Sequence, residues 1–301
     1  MDFDHFIAQA WDEHVTDAKA VAQRLQSEGL AGVSAPDHVA PLATLAHHVL
    51  GQHLQRWQDG LALLQALQAL PACEAGSVGA ATVARYIASL RLCAGQADAL
   101  QDLGSSERIR VQAMAAANLA EHDAARAMAL FQQALQTAQA SALPDTDPCN
   151  PVLAITGNNL AAALEQKTGR SADERALMIA AAQAGRRYWA LAGTWEEIQR
   201  AEYRLAMTWL QAGDSARSRH HAQACLDILQ AHDGPAFERL FGLEALAHAA
   251  HAGGDAAAQT QAAAQAQTVF ETLNATERAE AQATLNEIQA LPAPGPLQAP
   301  R

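Results

Sequence analysis

Glu202-x-x-Leu205-Ala206-x-x-Trp209-x-x-x-Gly213-Asp214, continued by Ser218 and Ala222, is the stretch on which the fold turns. Leu205, Ala206 and Trp209 fall on one helical face, Gly213-Asp214 interrupts, and Ser218 and Ala222 resume at helical spacing. This predicts two helices joined by a tight turn. A second copy, Leu243-x-x-Leu246-Ala247-x-x-Ala250-x-x-x-Gly254-Asp255, repeats the pattern, with Leu246 lying 41 residues after Leu205.

The composition of the 301-residue chain agrees. Half the residues are apolar, about a quarter are Ala, and only 5% are aromatic. Ala is the best helix former and Gln, also abundant, loses little rotamer freedom in a helix. β-branched residues are too sparse to supply sheets. The chain is expected to be all-α.

Punctuation by Gly, Pro, Asp and Ser divides it into helical segments. A first helix runs from about Asp4 to Glu28 and is closed by Gly29 and Gly32. Ser34 and Pro36 open a pair whose second member spans Trp57 to Leu70, where Pro71 stops it. A weaker pair covers Ser77 to Leu103, turning at Gly95. Clearer pairs follow at Ser105–Leu143, Pro151–Leu191, Thr194–Ala231 and Pro235–Leu273, with a last helix to about Leu291. Ser171/Glu174, Thr194/Glu197 and Asn274/Glu277 have capping-box spacing, which lets the two side chains satisfy first-turn N–H groups reciprocally. The expected organisation is a helical region over 1–104, repeats and a capping helix over 105–291, and a Pro-rich disordered tail over 292–301. The turn-rich stretch Ser141–Pro151 reads either as a joint between halves or as a long inter-helix loop.

Two further copies extend the pattern: Val111-x-x-Met114-Ala115 with Ala127, Phe131 and Ala134, and Gly157-Asn158-Asn159-Leu160-Ala161. Together the four resemble tetratricopeptide repeats, the last one the kinesin-light-chain type. Physically, Ala161, Ala206 and Ala247 let helices approach while the adjacent Leu fills the seam; pairs with two apolar faces stack on neighbours to bury both. The resemblance implies a right-handed α-solenoid of antiparallel helix pairs, with first helices lining a concave groove. Spacings of 45 residues from Leu160 to Leu205 and 41 to Leu246 exceed the family's 34 and also suit HEAT or armadillo repeats. The two Gly-Asp turns favour the tetratricopeptide reading.

On that reading the groove presents Gln112, Asn158, Glu165, Arg200, Tyr203, Met207, Phe241, Glu244, His248 and His251. Tyr203 and Phe241 are expected on one wall, flanked by Arg200 and Glu244, a strip suited to a peptide. The leading expectation is a non-enzymatic scaffold binding a protein or peptide, without cofactor, with self-association left open. The alternative is a metal or small-molecule sensor, or an enzyme, built on Glu244, His248 and His251, which share one helical face. His47-His48 and His53 are expected to diverge around a helix, and His220-His221 to be solvated. Arg186-Arg187 beside Tyr188-Trp189 suggests cation–π packing. No phosphate-binding loop, nucleophile elbow or His-Glu-x-x-His motif occurs.

A net charge of -12 and the absence of a basic run argue against nucleic-acid binding. No apolar stretch approaches the length of a bilayer span. The N-terminus lacks a secretion-signal layout. Four scattered cysteines fit reduced, buried thiols, and the expected location is the cytoplasm.

Overall fold

The computed structural model describes residues 2–292, so of the expected tail only Pro292 is included and 293–301 lie outside. Every regular element among the described residues is helical. The chain divides into two compact units between Cys149 and Asn150. The division falls within the turn-rich stretch Ser141–Pro151.

The N-terminal unit starts with α1 (Phe3–Arg24), which Asp17 interrupts at φ -144°, ψ 71°. Its helical path continues through a π turn, Leu25–Gly29, into α2 (Leu30–Gly32). Of the two glycines expected to close the helix, Gly29 is passed and Gly32 is the last helical residue. Gly29 instead makes room for packing, since a Cβ there would stand 2.9 Å from Leu42 Cδ1. A 3-10 turn at Pro36–His38 leads into α3 (Val39–Ala46), which widens into a second π turn, His47–His53. There follow α4 (Trp57–Gln68) and α5 (Val78–Cys93). The second member of the Ser77–Leu103 pair is only a 3-10 turn, Ala97–Leu100, after Gly95 at φ 87°. α6 (Ser105–Leu119) and α7 (Ala124–Ala140) complete the unit as a packed pair. Leu25, Leu42, Leu45, Leu50, Leu64 and Leu67 are fully buried in its core.

The π turn corrects one expectation. On an α-helix His48 and His53 would point roughly 140° apart at 3.6 residues per turn. The i→i+5 register of the π turn returns the fifth residue to the same side, and the two rings stand 4.6 Å apart between centroids. His47 faces inward, its Nε2 within hydrogen-bonding distance of Ser89 Oγ and Asn118 Nδ2, both at 3.1 Å. Burial, and secondarily His48, lower its pKa to about 3.

The C-terminal unit is more regular: α8 (Cys149–Gln166), α9 (Ala172–Ala192), α10 (Trp195–Gln211), α11 (Ser215–Ala231), α12 (Ala236–Ala252), α13 (Ala256–Thr272) and α14 (Ala275–Ala290). All three capping boxes form, at Ser171/Glu174, Thr194/Glu197 and Asn274/Glu277. Gly213 and Gly254 adopt φ 85° and 75°, ending α10 and α12 in a left-handed residue. Asp214 and Asp255 then cap α11 and α13 by accepting from the N–H of Arg217 and Ala258. Such short turns make each pair antiparallel.

Neighbouring helices pack together, and α12 also packs against α10 and α14. Ala161, Ala206 and Ala247 are fully buried. Ala206, Ala222 and Ala245 form one cluster against Tyr203, Met207 and Leu246, which draws α10, α11 and α12 close. α8 and α9 cross closest at two glycines: a Cβ on Gly157 would stand 2.5 Å from the Ala181 carbonyl oxygen and 2.8 Å from the Gly185 nitrogen.

Candidate functional site

The Tyr203 and Phe241 rings meet as expected, edge to face with centroids 6.2 Å apart. The polar residues around them are already engaged. Tyr203 donates its hydroxyl to Glu244 Oε2 at 3.1 Å. Burial, helped by Glu244, holds that phenol well above its ordinary pKa. Arg200, expected to flank the pair, donates from two nitrogens to Glu238 Oε1, the closer at 2.6 Å. Glu165 on α8 accepts from Arg204 and, at 2.5 Å, from Thr208 Oγ1. Burial outweighs these bonds and keeps the Glu165 carboxyl above its ordinary pKa. Met207 packs into the small-residue cluster. Asn158 lies on α8 beside the glycine crossing, while Gln112 is buried in the N-terminal unit and donates to Gln133.

Glu244 and His248 come together with Glu287 of α14, all three ligand atoms within 4.8 Å of one another. His251 is not the third member of this group; its Nδ1 is buried without a hydrogen-bond partner among the described residues. Burial raises the Glu244 carboxyl to about 7; the Tyr203 hydrogen bond opposes this and Glu287 adds to it. Burial lowers His248, with Glu287 opposing. Two carboxylates and an imidazole could hold a cation.

His221, expected in solvent, is half-buried and bonded to Glu202 at 2.7 Å. Burial raises Glu202, but the bonds from His221 and Arg186 prevail and hold its carboxyl below the ordinary value. Of the Arg186-Arg187 pair, Arg187 alone stacks on Tyr188, 5.5 Å from the ring centroid, while Arg186 serves Glu202.

A further opening lies on these helices. A groove of about 910 Å³ runs between α11 and α13 over the outer face of α12. Leu226, Leu243, Leu246 and Val269 line it, with Gln223, Gln230, Gln261 and Gln265 also along its sides. The repeat pattern points to this groove only indirectly, because it treats α11 and α13 as packing helices.

No family model, no curated relative and no solved structure matches the chain.

Proposed function

We propose that this chain is a non-enzymatic, helical-repeat scaffold of the tetratricopeptide type, and that it binds a protein segment in the groove between α11 and α13. The observation that carries the reading is this groove's apolar lining of Leu226, Leu243, Leu246 and Val269, flanked by amide side chains. Two 17-residue helices form its walls, so an amphipathic helix of similar length, apolar on one side and polar at its edges, fits it best. The first-helix face around Tyr203 is a weaker candidate. Its hydroxyl, guanidinium and carboxylate groups satisfy one another, so a ligand would have to break those bonds before making its own.

The test is affinity capture from the native cell with the wild type, a Leu226→Glu/Val269→Glu variant and Phe241→Ala. Charges in the groove should abolish recovery of the partner, while Phe241→Ala should retain it, with helical circular dichroism unchanged in both. Retention by both variants would refute the groove. Loss in Phe241→Ala alone would move the partner to the first-helix face.

A further inference from the structure

α1 and the second π turn bring three imidazoles to one point. His48 Nε2 stands 3.1 Å from His14 Nε2 and 3.0 Å from His53 Nε2. All three can place one ligand nitrogen within 4.8 Å of the others. Their protonation pattern is constrained from outside. His14 Nδ1 lies 2.5 Å from the Trp11 carbonyl oxygen, which can only accept, so Nδ1 carries the proton and Nε2 is a bare lone pair. His48 Nδ1 lies 3.0 Å from Gln52 Oε1, which imposes the same tautomer. The facing Nε2 atoms of His14 and His48 are therefore both acceptors, with no hydrogen to share. His53 can donate to His48 but cannot resolve the other contact as well. The imidazole nitrogens thus converge on one point, an arrangement that a bound cation satisfies.

We infer that His14, His48 and His53 bind a divalent first-row transition metal of the zinc type. Nitrogens bound about 2.0–2.1 Å from a tetrahedral zinc stand about 3.3–3.4 Å from each other, close to the spacing here. An oxygen acceptor on each Nδ1–H of His14 and His48 is the arrangement that orients metal-bound imidazoles and raises their basicity. Trp11 walls the site, its ring centroid 5.2 Å from His14 and 5.1 Å from His48. His53 is exposed, so the fourth position faces solvent. Binding there ties the N-terminal helix to the π turn of α3.

The test uses the full chain, purified without a histidine tag, stripped with chelator and titrated with zinc by calorimetry. We expect one equivalent bound with a dissociation constant below about 1 µM, and a tetrahedral visible spectrum with cobalt(II). His48→Ala should weaken binding by more than about 100-fold and Gln52→Ala, which frees the tautomer, by about 10-fold. His53→Ala, a surface change, should also weaken it and covers the case in which His48→Ala fails to fold. His248→Ala, which removes the imidazole of the Glu244/Glu287 group, should leave affinity unchanged. Weaker wild-type binding, indifference to both His48→Ala and His53→Ala, or a loss in His248→Ala instead would overturn the assignment.

Discussion

Glu244 shows how one side chain can oppose the fold that contains it. Its folded carboxyl protonates near 7, against an ordinary value of 4.5, chiefly because it is buried, with Glu287 adding to the shift. Between those two values the folded chain holds a proton that the unfolded chain releases. Its contribution to stability therefore falls as pH rises through that window. Glu244→Gln keeps an acceptor for Tyr203 and removes the charge. It should be more stable than wild type at pH 8 by on the order of 1–3 kcal/mol, and close to it at pH 4.5. Denaturant unfolding at both pH values checks this; an equal difference at the two would mean the carboxyl is not strained by burial. His47 has the opposite sign. Kept neutral by burial, it favours the fold above the ordinary histidine value, and that benefit is lost as pH falls toward 3.

At the level of elements, the crossing of α8 and α9 makes a test of sign. Replacing a mid-helix glycine by alanine ordinarily stabilises by up to about 1 kcal/mol. At Gly157 the new methyl would meet backbone atoms of α9 at 2.5 and 2.8 Å, which no rotamer can relieve. Gly157→Ala should therefore destabilise, by about 1–3 kcal/mol, as overpacking does. A thermal melt decides, and an upward shift would mean the two helices are not in contact there. The elements also show what the chain announces in advance. Capping boxes and Gly-Asp turns are readable because each is a local contract between residues three or four apart. The Asp17 break, the π turns and the Gly29 packing site are not, since each is settled by what the backbone meets from elsewhere. For the same reason Glu287 was missed beside Glu244 and His248, and His14 beside His48: no helical spacing links partners on different helices.

For the whole molecule, charge is the property that acts at long range. A net -12 produces a field that repels phosphate backbones. The arginines do not offset it by clustering; Arg85, Arg186, Arg204 and Arg219 are each committed to a carboxylate. A gel shift with mixed-sequence DNA at about 50 mM salt, where such contacts are strongest, should show no complex; a tight complex there would show that the charge is distributed otherwise. No helix among the described residues is long and apolar enough to cross a membrane. The division into two units between Cys149 and Asn150 was legible only as a turn-rich stretch, because Pro and Asp mark a break without saying whether contacts cross it.

The π turn at His47–His53 has a genetic reading. It is a helix that has taken in one residue more than its α register accommodates, and in a gene that surplus is a single in-frame triplet. Removing one residue between His48 and His53 would restore the ordinary winding and set the two imidazoles four residues apart, about 40° on an α-helix and so still on one face. The pairing of His48 with His53 thus depends on residue count agreeing with winding, five in a π turn or four in an α turn, a match that a scan of substitutions never samples.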